Sequence, residues 1–348
     1  MQLSRVLLAR RTFSGIQPTG TLHLGNYLGA VRRWVDQTRQ EETSPAPARL
    51  MFCVVDQHAI TLPQSPDTLR HNIRLMTASL LACGLNTERC ILFQQSTVRE
   101  HSELCWVLGS LCSVPRLAQL SQYKDKAAKL PEIPLGLFLY PVLQAADILL
   151  YKASDVPVGE DNIQNLQIAQ HLAHKFNSQF CTKSQPLFPR PEAVLPDPNC
   201  ARLRSLRSPE FKMSKSDPDP LSCIYLSDPP DLIEKKIKSS VTDSIKELSY
   251  DPVERTGVAN LITIYAEMSD QSPLEVEQHL RENQRNKVQF KKELSDLLIE
   301  KLSPIQQELR RLMSDPHHID RVISEGRDKA TEIASVTMEQ VKQLIGFR

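Results

Sequence analysis

Between residues 49 and 93 two short apolar runs flank a helix-forming stretch, and nothing else in the chain restricts its fold as tightly. RLMFCVV, at 49–55, is rich in large and β-branched residues and stops at Asp56, as a strand covered on both faces would. From Asp67 to Ala82, Leu69, Ile73, Met76 and Leu80 recur at helical spacing, and Gly84 is a natural stop. CILF, at 90–93, reads as a second strand. A strand–helix–strand unit joins its strands in parallel and leaves a ligand crevice at their carboxyl ends. The expected class is therefore α/β: a Rossmann-type parallel sheet with a helical insertion, followed by an all-α C-terminal part.

The rest of the chain fills in that plan. Thr97 to about Ser121 reads as mostly helical, KLPEIPLG as a connection, and YPVLQAADILLYK as a helix with Pro141 in its first turn, where a missing N–H is harmless. SDVPVGED reads as a short strand entering a turn. Residues 182–220 are Pro-rich and irregular, the place for a domain boundary and a mobile loop. Beyond Asp231 the pattern is helical, with Leu294, Leu297, Leu298, Leu302, Ile305, Leu309 and Leu312 keeping a 3.6-residue period around Pro304. The 348 residues suffice for two domains. The boundaries expected are a basic leader at 1–12, a catalytic Rossmann domain with its insertion at 13–204, a mobile loop at 205–220 and a helical domain at 221–348. No apolar run approaches the ~18 residues that cross a bilayer, so no membrane role is expected. A net charge of +1 means that any nucleic-acid binding must rest on a local patch. Eight cysteines without a Cys-x-x-Cys pair argue against structural zinc and suit reduced thiols inside a cell. The leader MQLSRVLLARRTFSG carries three arginines, and the first acidic residue is Asp36. That composition fits a mitochondrial transit segment and fits a plain basic extension too.

Two short stretches carry chemistry. TLHLGNYLGA, at 21–30, follows the loop FSGIQPTG. A Gly permits close backbone approach, and a helix starting there aims its free N–H groups at whatever docks on it. His23 and Asn26 add two side-chain donors, a set that suits a nucleotide phosphate, although a plain strand-to-helix turn would use the same residues. FKMSKSDP, at 211–218, places Lys212 and Lys215 on a strap of small hydroxyl residues. Lysine is a compact charge on a long stem, suited to following a phosphate that moves during reaction. A solvated loop is the competing reading, but a fixed five-letter string occurs by chance in only about one chain in ten thousand of this length.

HLGN and KMSKS resemble the HIGH and KMSKS signatures of class I aminoacyl-tRNA synthetases. With FSGIQPTGTLHLGNYLGA, VVDQHAIT, YPVLQAADILLY, VPVGEDN, KMSKSDP and IKSSVTDS, the chain resembles the tryptophanyl-tRNA synthetases of bacterial and organellar type from Phe13 to the C-terminal LIGFR. The resemblance implies activation of L-tryptophan by ATP, with pyrophosphate leaving, then transfer to tRNA(Trp). No covalent enzyme intermediate is needed, so the protein's work is positioning and stabilisation of phosphate charge.

It also implies roles. His23 and Asn26 stand at the first and last positions of HIGH, where many relatives have a second His; with Lys212 and Lys215 they form the catalytic set. Gln17, Pro18, Thr19 and Gly25 line the ATP pocket, Gly159, Glu160 and Asp161 sit under ribose and adenine, and Leu203 meets the adenine. Met213, Ser214 and Ser216 complete the pyrophosphate strap, and Lys126 reaches ATP on closure. Magnesium accompanies ATP, held mainly by phosphates, with no protein ligand nameable. Asp147 accepts the indole N–H, with Tyr140, Val156 and Val158 as pocket walls. From pattern alone this lone carboxylate in an apolar helix would be a cap or an ion pair. Two positions depart from the family's pattern: Gln144 stands where many bacterial members have Met, and Asn162 stands where the family usually has Gln, one methylene longer and expected to meet the substrate amino group. Lys235, Lys236 and Lys238 at a helix start, with Arg204 and Arg207, are candidates for tRNA, unless Glu234 pairs Lys238 on a solvated face. A homodimer is implied. The address expected is the mitochondrial matrix, with bacterial cytoplasm as the alternative. Tyrosyl-tRNA synthetase and a non-catalytic tRNA-binding paralogue are the competing functions.

Overall fold

The computed structural model of the chain describes residues 10–41, 50–128, 130–195, 203–215 and 217–348. Most of the leader, Cys200, Ser216 and the side chain of Glu160 lie outside the described residues.

The described residues form one sheet of five parallel strands: β1 Thr12–Ile16, β2 Leu50–Val54, β3 Cys90–Gln94, β4 Asp155–Pro157 and β5 Glu192–Val194. Their order is β3-β2-β1-β4-β5, so the chain reverses direction across the sheet between β1 and β4. That reversal is where a doubly wound sheet opens a crevice. After β1 comes one continuous helical run: α1 Leu24–Asn26, a π turn Tyr27–Val31 and α2 Arg32–Glu41. Short α3 Asp56–Ala59 leaves β2, and α4 Pro66–Ala82 crosses to β3. The insertion between β3 and β4 is α5 Glu100–Leu111, α6 Val114–Ala118, α7 Ser121–Ala127 and α8 Leu135–Leu150, and α9 Ile163–Phe180 leads to β5. The C-terminal part is α10 Pro230–Lys238, α11 Thr256–Ser269, α12 Pro273–Glu282, α13 Lys287–Met313 and α14 Pro316–Ile345.

All five residues of β2 are buried, and alternation divides them between the two faces. Leu50, Phe52 and Val54 join a core with Trp34, Met76 and, from the helical part, Leu294, Leu298 and Leu302. Met51 and Cys53 face the other core, shared with Leu104, Ile148 and Leu172. α14 returns to that second core through Ala330, Ala334, Met338 and Val341. It lies along the free edge of β3, so close that a Cβ on Gly326 would stand 1.8 Å from the Leu92 carbonyl oxygen. Only glycine fits there, and the helix covers an edge that would otherwise be open for pairing.

Local expectations changed in three places. α8 begins at Leu135, not near Tyr140, so Pro141 lies inside it and the Leu137 carbonyl loses its i+4 donor. Pro134 in extended conformation starts the helix, and Leu137 is buried within it, which extends the apolar pattern backwards. The irregular stretch 182–220 contains β5, three residues long and without an alternating pattern. Lys235, Lys236 and Lys238 sit in the last turn of α10 rather than its first. Lys236 is buried against Asp228 at 2.6 Å, Arg207 pairs with Asp219 at 3.0 Å, Arg204 donates to the Pro209 carbonyl, and Glu234 pairs with Lys292 rather than Lys238. Lys235 and Lys238 alone of those five cations are exposed. The seven described cysteines are unpaired, and no described helix is long and apolar enough to cross a membrane.

Candidate active site

A cavity of about 550 Å³ opens at the carboxyl ends of β1 and β4, the reversal point of the sheet. That is within the range of small-molecule sites. Its lining includes Gln17, His23, Gly25 and Asn26 from the first loop and helix, Lys212, Met213 and Ser214 from the strap, and Gly159 and Asp161 from the turn after β4. Lys126, Tyr140, Gln144, Asp147, Val156, Val158 and Asn162 line it too, beside His58 and Gln122. Pro18, Thr19, Leu203 and Lys215 stand outside the lining.

One end is built locally. His23 caps the helical run: its Nδ1 accepts from the Asn26 backbone N–H at 3.2 Å, and the Asn26 side chain accepts the His23 backbone N–H at 3.4 Å. The returning ring explains the glycine between them, since a Cβ on Gly25 would meet the His23 ring at 3.0 Å. With Nδ1 accepting, the neutral ring carries its proton on Nε2. Burial, then the charges of Lys215 and Lys212, lower the His23 pKa to about 4, so the ring is a neutral donor at pH 7. The segment is fixed from behind, because Leu24 N–H donates to the Ile224 carbonyl and Leu226 N–H to that of Leu22.

The strap begins as a hairpin, with Met213 N–H donating to the Leu203 carbonyl and Ser205 N–H to that of Phe211, both at 2.9 Å. Leu203 and Met213 are thereby buried as its support. Lys215 Nζ rests 3.3–3.4 Å from the carbonyls of Thr19 and Gly20, at the rim. Burial lowers its pKa from the ordinary lysine value.

The other end is built from distant parts of the chain. Asp147, on α8 and 1% exposed, accepts from His101 Nδ1 at 2.6 Å, from His58 Nε2 at 2.8 Å and from Gln95 Nε2 at 2.8 and 3.0 Å. Gln57 N–H donates to Gln95 Oε1 at 3.0 Å, which fixes the amide's orientation. Burial alone would push the Asp147 carboxyl up, but the hydrogen bonds from the two imidazoles outweigh it and hold it well below the usual carboxylate range. The carboxylate that looks isolated in the sequence is thus surrounded by three protein donors. His58, Gln95 and His101 went unnoticed in the sequence because nothing local marks them. Only the string VVDQHAIT drew attention to His58's neighbourhood.

Gln144 and Asn162 also meet. Asn165, buried on α9, donates from one Nδ2 to Gln144 Oε1 at 3.0 Å and to Asn162 Oδ1 at 3.3 Å. Between the two ends, Tyr140 Oη donates to Gln122 Oε1 at 2.9 Å, and Lys126 Nζ lies 5.0 Å from the centre of the Tyr140 ring.

Comparisons with known proteins show the family of the chain. The family described as "tRNA synthetases class I (W and Y)" matches residues 9–303. The tryptophan–tRNA ligase of Bacillus anthracis is 40% identical over 96% of this chain and 97% of its own length. That of a Nostoc species is 42% identical, over 97% and 98% respectively. Among solved structures, the tryptophanyl-tRNA synthetase of Mycoplasma pneumoniae superposes with a TM-score of 0.86 at 29% identity, covering 97% of both chains. The Campylobacter jejuni enzyme, solved with ADP and tryptophan, gives 0.81 at 30% identity, over 97% of this chain and 99% of its own. The chain belongs to the class I tRNA synthetases of the tryptophan and tyrosine family.

Proposed function

We propose that this class I synthetase is the tryptophan–tRNA ligase: it activates L-tryptophan with ATP and transfers it to tRNA(Trp). The observation that carries the choice of amino acid is the buried carboxylate of Asp147 on the cavity wall. Indole has one donor and no acceptor, so an acceptor-only group held ionised is its complement. Relatives about 40% identical over nearly their whole length bear the same ligase name, and the Campylobacter enzyme's complex with ADP and tryptophan supports a shared nucleotide and amino-acid site.

In this reading the tryptophan carboxylate attacks the α-phosphorus of ATP and pyrophosphate departs. His23 donates from Nε2, Asn26 from its amide and Lys212 from its ammonium to phosphate oxygens at the local end of the cavity. Lys215 leaves the Thr19–Gly20 carbonyls to follow the departing pyrophosphate. Gln17, Gly25, Gly159, Asp161, Met213 and Ser214 cradle the nucleotide, Thr19 and Leu203 support them, and Lys126 closes from α7. Tyr140, Val156 and Val158 wall the indole, with Gln144 and Asn162 near the substrate's amino group. No three His, Cys, Asp or Glu side chains among the described residues converge to hold a metal. Magnesium, when bound, would be carried on the ATP phosphates and would neutralise their charge there.

Lys235 and Lys238 present cations for tRNA in the helical part, 221–348, which we assign to anticodon binding. Exposed Trp106, Val114 and Leu135 on α5, α6 and α8 suit a homodimer face. The Arg-rich, acid-poor leader favours the mitochondrial matrix over the bacterial cytoplasm. Fusing residues 1–30 to a fluorescent reporter in eukaryotic cells tests this, and diffuse cytosolic signal counts against it. The test of function is ATP–pyrophosphate exchange with each of the twenty amino acids. Tryptophan alone should support it, and exchange with tyrosine instead, or with none, overturns the reading.

A further inference from the structure

We infer that Tyr151 and His101 are a positioning pair that sets the hydrogen-bonding state of Asp147 and so the selectivity for an indole N–H. The inference rests on the proposal that Asp147 is the indole acceptor.

A carboxylate offers about four lone-pair directions. At Asp147 the ring nitrogens of His101 and His58 each take one, and Gln95 Nε2, almost equidistant from both oxygens, takes a shared third. One direction is left for a ligand. The count holds only if both imidazoles turn an N–H toward the carboxylate. A neutral ring has one donor and one acceptor, so the partner of the second nitrogen decides which faces where.

For His101 that partner is Tyr151 Oη, 2.7 Å from Nε2. His101 is fully buried, so no solvent is available to replace it. Burial, with the neighbouring carboxylates of Asp147 and Glu100, pushes the Tyr151 phenol well above its ordinary pKa, and it keeps its proton. An ionised Asp147 can only accept, so the 2.6 Å contact requires Nδ1–H; Nε2 of the neutral ring is then bare, and the phenol, which keeps its proton, donates to it. Tyr151 is itself held, stacked on Phe13 at 5.7 Å and edge-on to Phe93 at 5.5 Å between ring centres. Without the phenol, the ring is free to adopt the other tautomer, which sets a lone pair against the carboxylate. Asp147 then answers by taking a proton or turning, and the direction reserved for the substrate is lost.

The test is pyrophosphate exchange by the full chain with tryptophan and with β-(benzothiophen-3-yl)alanine, in which sulfur replaces the indole N–H. Tyr151→Phe should raise the tryptophan KM about tenfold while moving the sulfur analogue's KM by about twofold or less. The loss should appear in KM rather than kcat, with the ATP KM unmoved. His101→Asn places an amide N–H where Nδ1 stood and needs no tautomer set, so discrimination should stay within about threefold of wild type. In that background Tyr151→Phe should cost nothing further. Should Tyr151→Phe fail to fold, His101→Gln replaces it: its amide sits at the Nε2 position, out of reach of Asp147, and discrimination should fall where His101→Asn keeps it. Equal losses for both amino acids would make the pair mere packing and overturn the inference. So would an undiminished Tyr151→Phe effect in the His101→Asn background. A wild-type enzyme indifferent to the sulfur substitution would instead remove the Asp147 reading itself, and the inference with it.

Discussion

The two ends of the cavity are held in opposite ways. At the proposed nucleotide end, His23 and Asn26 cap each other within a single turn, and Lys215 touches two carbonyls and the Thr19 hydroxyl at long range. At the proposed amino-acid end, Asp147 is 1% exposed and gathers donors from α3, the turn after β3, and α5. The contrast follows from the tasks. A lysine that tracks departing pyrophosphate must exchange partners, and weak contacts to neutral carbonyls are easily left. A group that tells one N–H from its absence must not move, because rejection depends on stranding it when the donor is missing.

The strongest challenge to that contrast is Asp147→Ala. Sites built around a substrate hydrogen bond reject analogues lacking it by factors on the order of ten thousand. The variant should lose most of that gap between tryptophan and phenylalanine in kcat/KM for exchange, while ATP binding survives. Unchanged preference would mean that the rigid end is scaffold. Next in size, Lys215→Ala should slow adenylate formation by ~100-fold, comparable to removing one oxyanion donor, with tryptophan affinity barely moved. A wild-type rate would show the strap to be a bystander.

The two ends should also separate on the pH axis. The His23 pKa falls from 6.5 to about 4 on folding, so its contribution to stability is present above pH 6.5 and lost as pH falls toward 4. The size is on the order of 3 kcal/mol by linkage. Asp147 also has a lowered pKa, but its contribution is lost only below its unfolded value of 3.8. Urea unfolding from pH 7 to 4.5 should therefore show a decline in wild type that His23→Gln removes; parallel curves would refute it. The smallest effect belongs to the link between the ends. Tyr140→Phe removes the bond to Gln122, worth about 1 kcal/mol, and should raise both KM values by a few-fold. A change in only one of them would mean that Tyr140 serves a single end.

Legibility in the sequence divides along the same line. His23, Gly25 and Asn26 act within four residues, and Lys212 to Lys215 within a single string, so short motifs betray them. β2, α4 and β3 were equally plain, because burial on two faces and helical periodicity are local signals. Asp147 was conspicuous as a charge in an apolar helix, but its partners were not. His58, Gln95 and His101 lie on three other elements, and only the parallel sheet brings them together. Asn165, which ties Gln144 to Asn162, looks like any polar residue on a helix until its neighbours across the cavity are known. The early start of α8 was hidden because a proline usually marks the first turn of a helix, and here it lies in the interior.

The seat of α14 on β3 has a consequence for how the protein is made. Leu92 and Gly326 are 234 residues apart in the chain, yet one covers the other. While the ribosome is still at work, the outer edge of β3 has its backbone groups unpaired, and the core behind it lacks Ala330, Ala334, Met338 and Val341. An open strand edge beside exposed apolar side chains is a template for sticking to other nascent chains. The catalytic half therefore completes its shelter only when the last helix emerges. A message cut short within α14 would yield a chain with every motif intact and a surface fit for aggregation.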